Sequence, residues 1–458
     1  MMEHTKKMSG VNTINSAVGQ VIEAQKQREL FFNPQGYMGK FLQKGRLNIG
    51  FIDGMWGSSG KGKFNALLAW DPELDFAVSH NSVNASHIVV WDDGREYKFQ
   101  HLPTSVVNPK IKIVMGAGAS IELPQLLKEI RDWSLDHTNP SVSSWADSMD
   151  FGGPGRSNQR LFIHPNAVVI TQDDVDYEKE HLVRIASTMT GNGAAAGRKV
   201  MRHPSTRTTS DCPELQQYIC DTSSLIARWI AEGQTGILET AQGFDLSMDH
   251  GMLFEHTIQT GPHASVHKAY PYCTSRNVDP LTFAGMTGIG LKSLGKVFLN
   301  LRALPIKVGD GSNTKVDGYS GVDMTGSNSG PCWPDQRELS WDGVTTMSGS
   351  NVKLIEQTSL TKRIRRVFTF SDMQLHHITK VVQPDFITIN FVNYVDASIF
   401  GISGEFTRRE LESCYPAVAA LVRRVEQNQY FGGPVTGGIV VALGTGPANS
   451  HVIHLVGG

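Results

Sequence analysis

Short apolar runs that alternate with amphipathic stretches constrain this chain more than any other feature. The runs are LNIGFID, DFAV, HIVVW, IKIVMG, RLFIHP, TGILET, FITINFV and GIVVAL. Such runs are too short for an ordinary helix, and LNIGFID and GIVVAL are apolar on both alternating faces, as strands covered on both sides are. Between them, residues 124–133, 175–186, 213–231 and 408–427 carry helical spacing. Strands alternating with helices predict an α/β fold with a mainly parallel central sheet flanked by helices, the number of domains staying open at this point. Asp92-Asp93-Gly94 predicts a hairpin turn between HIVVW and REYKFQ. Residues 309–350, rich in Gly, Ser, Asp and Asn, predict a long surface excursion.

The first 46 residues differ from the rest. They are polar, predict one helix over 16–30, and end in the turn-like Phe32-Asn33-Pro34-Gln35-Gly36. Residues 1–46 therefore read as an N-terminal helical extension packed on a main domain of residues 47–458.

Composition narrows the function classes. The 42 Lys+Arg against 44 Asp+Glu leave a net charge of -2, which gives no sequence-wide footprint for nucleic acid. Charged residues at 19% beside 40% hydrophobic content argue against disorder. No run approaches the ~18 apolar residues of a membrane-spanning helix. The cysteines Cys212, Cys220, Cys273, Cys332 and Cys414 are odd in number and form no CxxC, so neither a disulfide framework nor a zinc ribbon is expected. The opening MMEHTKKMSG lacks the apolar stretch of a secretory signal. Together these features predict a cytoplasmic protein with no nucleic-acid or membrane partner.

The strongest local signal is Asp53-Gly54-Met55-Trp56-Gly57-Ser58-Ser59-Gly60-Lys61-Gly62-Lys63, which joins the first predicted strand to the first predicted helix. At such a junction backbone N–H groups and the helix dipole favour an anion, glycine admits a phosphate, and lysine adds charge. Gly54 lies one residue too far upstream of Gly60-Lys61 for a strict Walker A loop.

With this motif the chain resembles the adenylosuccinate synthetases, whose first strand ends in Gln-Trp-Gly-Asp-Glu-Gly-Lys-Gly-Lys. The likeness continues in order. It runs through Ser82-Val83-Asn84-Ala85-Ser86-His87, His101-Leu102-Pro103-Thr104-Ser105, the segment 187–202, Glu239-Thr240-Ala241-Gln242-Gly243, Pro271-Tyr272-Cys273-Thr274-Ser275 and Gly444-Thr445-Gly446-Pro447. The resemblance implies that residues 47–458 are a single large domain with a P-loop-NTPase-like synthetase fold. It also implies a magnesium-dependent ligase that phosphorylates the 6-oxygen of a purine nucleotide and displaces that phosphate with the amine of L-aspartate.

Carried over residue by residue, the resemblance makes Ser58, Lys61, His87 and Gln242 the catalytic set. It assigns Ser58, Asn84, Ser187, Thr188, Arg202, Gln242 and Thr274 to the nucleotide monophosphate. In the family the arginine matched by Arg202 reaches in from a second subunit, which implies a homodimer. Ser59, Gly60, Lys61, Gly62, Lys63, His87, Asn390, Asn393, Gly444, Gly446 and Pro447 fall to the nucleoside triphosphate. Thr361, Arg363 and Arg365, in a loop like the family's aspartate loop, fall to L-aspartate, whose carboxylates suit arginine forks. The Ser86 carbonyl matches one magnesium contact, and Ser58 stands where another carboxylate donor would be.

Two departures bear on substrate. The family's catalytic aspartate is Ser58 here. A serine hydroxyl is no unaided general base, yet it leaves room at purine C2 and can accept from a 2-amino group. This combination resembles the phage branch of the family that acts on dGMP to make 2-aminoadenylosuccinate, a precursor of diaminopurine for phage DNA; a phage-encoded enzyme would work in the host cytoplasm. Where the family reads GTP with Thr-Lys-Leu-Asp, this chain has Asn390-Phe391-Val392-Asn393. An asparagine amide matches adenine's N1 and 6-amino group, so ATP or dATP is the expected phosphoryl donor. Two alternatives remain open at this level. One is an ordinary adenylosuccinate synthetase using IMP and GTP; the other is a catalytically silent nucleotide-binding paralogue.

Overall fold

Leu47–Asp53, the first predicted strand, is the seven-residue strand β1 and is buried along its whole length. The computed structural model that shows this describes residues 37–133, 159–182, 188–252, 254–257, 265–268, 275–308, 329–358, 363–430 and 437–457. The helix expected over 16–30 and the turn at 32–36 lie outside the described residues. After β1 come the helix α1 (Lys61–Leu68) and the strands β2 (Phe76–Ser79), β3 (Lys112–Met115), β4 (Leu161–Ile163) and β5 (Gly236–Glu239). They are followed by β6 (Leu294–Arg302), β7 (Phe386–Asn390), β8 (Gly404–Thr407), β9 (Ile439–Gly444) and β10 (Val452–Val456). These ten strands form one sheet in the order β8-β10-β9-β7-β6-β1-β5-β2-β3-β4.

Pairing is parallel from β4 across to β9. Only β9 and β10 run antiparallel, and β8 follows β10. Alternation along each strand builds two apolar layers. Ala77, Ile113, Ile237 and Phe298 pack on one side. Their neighbours Val78, Val114, Leu238 and Leu299 pack on the other. Burial on both faces is what makes these strands read as unbroken apolar runs. β1 breaks the rule once. Ile49 and Phe51 share a parity but lie in opposite layers, because the register against β6 shifts between Ile49 and Ile52, where Phe51 has φ +20°.

The predicted hairpin is present: His87–Val90 pairs antiparallel with Glu96–Phe99, and Gly94 takes φ +83° in the turn. Tyr37 and Met38 are buried against the first layer, ahead of the 3-10 turn Gly39–Phe41.

Several expected elements differ. Residues 213–231 are not one helix but a 3-10 turn, Pro213–Tyr218, and a helix, Thr222–Ala231. The carboxylate of Asp221 accepts the Ser224 N–H and restarts the chain there. Residues 408–427 break into Arg408–Cys414 and Pro416–Gln427, since Pro416 cannot continue a helix but suits the start of one. The helix expected over 175–186 is Gln172–His181, begun three residues earlier by a capping box between Thr171 and Asp174. Of the excursion expected at 309–350, residues 329–350 are described, and they contain the strand Glu338–Leu339, the helix Trp341–Ser348 capped by Ser340, and a buried Trp333. β6, a central strand of nine residues, was absent from the predicted set; its burial is only partial over its first four residues. Among the described residues no helix is long and apolar enough to cross a membrane.

The sheet gathers polar side chains at one edge. Register aligns Asp53 with Asn300, Arg302 with Asn390, Asn390 with Gly444, and Gly50 with Glu239. The carboxyl ends of parallel strands are where α/β sheets bind ligands.

Candidate active site

Asp53 ends β1 and organises the turn that follows. Its carboxylate is fully buried. Oδ1 accepts the N–H groups of Met55 at 3.0 Å and Gly57 at 3.3 Å. Oδ2 accepts the N–H of Ser59 at 3.1 Å and its hydroxyl at 2.6 Å. Lys61 Nζ lies 3.6 Å from Oδ2 and donates to the carbonyl of Gln242 at 3.2 Å. The turn needs left-handed backbone at Gly57, Ser58 and Gly60, with φ of +94°, +57° and +82°. Ser58 is not glycine, so its conformation is strained and is held by the bonds around it.

Those bonds come from two arginines. Arg302, at the end of β6, donates Nη1–H to the Ser58 carbonyl at 2.9 Å. Arg365 donates Nη1–H to the Ser58 hydroxyl at 2.6 Å. Burial holds the Arg365 guanidinium below its usual pKa. A hydroxyl that accepts from Arg365 still has a second lone pair and its own hydrogen.

His87 faces Glu239 at the end of β5. Nδ1 is hydrogen-bonded to Glu239 Oε1, and Oε2 accepts the N–H of Thr104 at 2.7 Å and its hydroxyl at 2.8 Å. A carboxylate on Nδ1 fixes the ring and leaves Nε2 as its outward nitrogen. Gln242 donates Nε2–H to Asn84 Oδ1 at 2.9 Å and has φ +71°, another strained non-glycine position. Gly243 lies so close to the turn that an added Cβ would stand 2.2 Å from the Gly57 nitrogen.

Beneath the turn lies Asp245, whose N–H donates to the Met55 carbonyl at 3.0 Å. Its carboxylate accepts from Trp333 Nε1 at 2.7 Å and Gln374 Nε2 at 2.6 Å. Burial pushes this carboxyl up to about 7. Across the site, Lys63 donates to the carbonyls of Gly446 at 2.8 Å and His451 at 2.7 Å, and burial lowers it to about 7. It thereby ties α1 to the Gly444–Pro447 turn.

Asn390 and Asn393 behave differently. Asn390 donates Nδ2–H to the Gly60 carbonyl at 3.3 Å and accepts the Phe391 N–H on Oδ1 at 3.2 Å. It is wedged between Gly60 and Gly444, where an added Cβ would come within 2.1 Å and 1.7 Å of its amide. Asn393 is only 7% exposed, and its Oδ1 is buried without a hydrogen-bond partner among the described residues. An orphaned acceptor of this kind calls for a donor from a ligand.

Of the residues singled out from sequence, Ser58, Ser59, Gly60, Lys61, Gly62, Lys63, Asn84, His87, Gln242, Asn390, Gly444, Gly446 and Arg365 are linked around this one turn. Ser59 spends its hydroxyl on Asp53. Arg363 is fully buried beside Thr358, and Ser86 is half-buried. Thr188 contacts the Thr190 hydroxyl at 3.4 Å. Arg202 is exposed beyond the helix Asn192–Val200, next to exposed Val200 and Met201, and bonds to none of the cluster. Ser187, Thr274 and Thr361 lie outside the described residues.

Sequence reasoning missed Asp53, Glu239, Asp245, Arg302 and Glu356. Asp53 and Glu239 each close an apolar run inside a motif already noted, so a charged residue at a strand's carboxyl end was the available signal. Nothing local marks the other three. Among the described residues no group of three or more His, Cys, Asp or Glu could hold a metal. Asp53, the nearest carboxylate, already accepts three N–H groups and a hydroxyl. The neutral donors present, Ser58 Oγ and the Ser86 carbonyl, suit an ion held chiefly by substrate phosphates and water.

Comparison with known proteins bears on the family and the fold. The family model described as adenylosuccinate synthetase matches residues 52–212. The N6-succino-2-amino-2'-deoxyadenylate synthase of Vibrio phage phiVC8 is 30% identical over 354 residues, covering 75% of this chain and 85% of that protein. The enzyme of the same name from Salmonella phage PMBT28 is 28% identical over 389 residues, covering 81% and 92%. Among solved structures, the succinoaminodeoxyadenylate synthetase of cyanophage S-2L, bound to dGMP and to dATP as an energy donor, superposes with a TM-score of 0.64. It is 24% identical and covers 89% of this chain and 95% of its own, a likeness of fold.

Two outcomes are expected. Glu239→Gln keeps the shape but loses the charge on His87, and should lower kcat roughly 100-fold with KM values little changed; steady-state kinetics reads this. Asp245 binds its proton up to about pH 7 when folded but only to about 4 when unfolded, so its contribution to stability declines as pH rises from about 4 to about 7. Asp245→Asn should therefore gain stability relative to the unaltered protein between pH 5 and pH 8, in urea titrations at both.

Proposed function

Because the chain belongs to the adenylosuccinate synthetase family, ligases that form a carbon–nitrogen bond, we propose that it joins dGMP to L-aspartate at the expense of ATP or dATP. The product would be 2-amino-2'-deoxy-N6-succinyladenylate, a step toward diaminopurine deoxynucleotides. The observation that carries the substrate choice is Ser58. In the strained turn after β1, this chain presents a hydroxyl backed by Arg365 rather than a carboxylate. That group is short enough to leave space at purine C2 and can still accept from a 2-amino group. The names of the phage relatives support the same reading.

In this reaction the purine 6-oxygen attacks the γ-phosphorus, the bond to the β-phosphate oxygen breaks, and the N1 proton leaves. The amine of aspartate then attacks C6, and inorganic phosphate departs. The protein's work is positioning and charge stabilisation. Lys61 and the N–H groups of the turn would hold the transferring phosphoryl group. His87, oriented by Glu239, would stabilise charge on it and on the 6-oxygen through Nε2. Gln242, fixed by Asn84, would orient the 6-oxygen. Thr188, Ser187, Thr274 and a second subunit's copy of Arg202 would hold the monophosphate, in a homodimer. Arg363, Arg365 and Thr361 would take the carboxylates of aspartate. Magnesium would supply charge neutralisation on the phosphates, with the Ser86 carbonyl and Ser58 hydroxyl as protein donors.

For the donor base, Asn393 is the better reader of the two asparagines. Its unpartnered Oδ1 suits the 6-amino group of adenine and would oppose the 6-oxygen of guanine. Asn390 instead holds the turn through Gly60.

The test is a panel of dGMP, GMP, IMP and dIMP, each run with aspartate, magnesium and either ATP or GTP. Product from dGMP with ATP is expected, and product from IMP but not dGMP would overturn the reading. Ser58→Asp should lower kcat/KM for dGMP at least tenfold more than for IMP; equal losses would remove Ser58 from discrimination. Asn393→Asp should shift the ATP-to-GTP ratio of kcat/KM toward GTP by about 100-fold, the scale of a mismatched buried polar contact.

A further inference from the structure

One part-buried carboxylate touches three parts of the site at once. Glu356 Oε1 pairs with Arg302 Nη2 and accepts the Tyr394 hydroxyl at 2.7 Å. Its Oε2 lies 3.8 Å from Arg365 Nε. Arg302 holds the Ser58 carbonyl, and Arg365 holds the Ser58 hydroxyl. The Arg302 guanidinium also stacks 3.7 Å over the Phe391 ring, in the segment that leads to Asn393. The side chains are largely withdrawn from water: Arg302 is 1% exposed, Arg365 14% and Glu356 19%.

Local backbone pairing brings Glu356 to this place. Arg365 N–H donates to the Glu356 carbonyl at 2.9 Å and Thr358 N–H to the Arg363 carbonyl at 2.8 Å. An isolated antiparallel bridge joins Gln357 to Ile364 between them. Glu356 and Arg365 are thus cross-strand partners at the base of the loop that carries the arginines read as aspartate ligands. Two guanidinium groups share one carboxylate, which leaves a single positive charge in excess. Arg365 spends Nη1 on Ser58 and Nε on the Gln357 carbonyl at 3.2 Å, and its Nη2 has no partner among the described residues. A carboxylate arriving at Nη2 would balance the charge.

We propose that Glu356 is a positioning residue. It turns Arg365 so that Nη1 stays on Ser58 while Nη2 faces the incoming dicarboxylate, and it locks Arg302 beneath the same serine. The amino-acid site and the phosphoryl turn are then one mechanical unit. Removing the carboxylate frees Arg365 from both. This rests on the reading of Arg365 as an aspartate ligand, and it does not depend on which purine is used.

The test is calorimetric titration of L-aspartate into the full chain loaded with the monophosphate that the panel selects. The unaltered protein is compared with Glu356→Gln and, as a milder change that removes only one hydrogen bond to Glu356, Tyr394→Phe. Glu356→Gln should weaken aspartate binding at least tenfold and Tyr394→Phe about threefold, while affinities for the monophosphate and ATP fall by a clearly smaller factor than that for aspartate. Combining Ser58→Ala with Glu356→Gln should cost less than the two single losses multiplied. Unchanged aspartate affinity in Glu356→Gln, or equal weakening of all three ligands, would overturn the positioning role, since a merely structural residue would act that way. If Glu356→Gln fails to fold, Tyr394→Phe decides by the same criterion. No aspartate binding by the unaltered protein would instead overturn the reading of the loop itself.

Discussion

The carboxylate of Asp53 is the interaction on which the rest of the site depends. Eight residues after it, the chain must be a helix; at it, the chain is a central strand. The connection passes through three left-handed positions, which would be costly unless something satisfied the N–H groups it turns inward. Asp53 satisfies three of them and the Ser59 hydroxyl, and its negative charge holds Lys61 within 3.6 Å. Removing a charge so placed would leave several buried donors unpaired, which is far more damaging than losing one surface contact.

Around that turn the molecule repeats one device. Each group read as chemically active is held by a second group beside it. His87 has Glu239, Gln242 has Asn84, Ser58 has Arg302 and Arg365, and Arg365 has Glu356. For the proposed reaction, which asks the protein to place two nucleotides and an amino acid, this is the expected economy. Orientation supplies most of the barrier reduction, and orientation requires rotamers that are locked. The sheet provides the frame, since Asp53, Glu239, Arg302 and Asn390 each close a parallel strand at the same edge.

Much of the fold was legible because burial on both faces leaves a simple mark. β1, β7 and β9 were visible as apolar runs for that reason, and their boundaries moved by only a residue or two. β6 escaped because its first four residues are only half-buried, so it offered no sharp onset. Helix extents failed where a local group overrode the average pattern. Pro416 split one helix, the Asp221 cap restarted another, and the Thr171–Asp174 capping box moved a start upstream. The ordered helix Trp341–Ser348 hid in a stretch rich in Gly and Ser, where its stability comes from packing of Trp341 and Val344 rather than from propensity.

The sequence by itself determined the class of fold, the phosphate turn with its lysines, and the departures at Ser58 and Asn393, because each is carried by residues adjacent along the chain. Only the tertiary structure decided what those residues do to one another. That Asn390 is wedged in place while the Oδ1 of Asn393 is left without a hydrogen-bond partner among the described residues depends on Gly60 and Gly444 closing on the former, from hundreds of residues away in one case and from a neighbouring strand in the other. That Ser58 is tied to the loop bearing Arg365 depends on contacts across a separation of 307 positions. Such pairings are set by strand order and register, and a chain's local spacing does not encode which strand ends will meet.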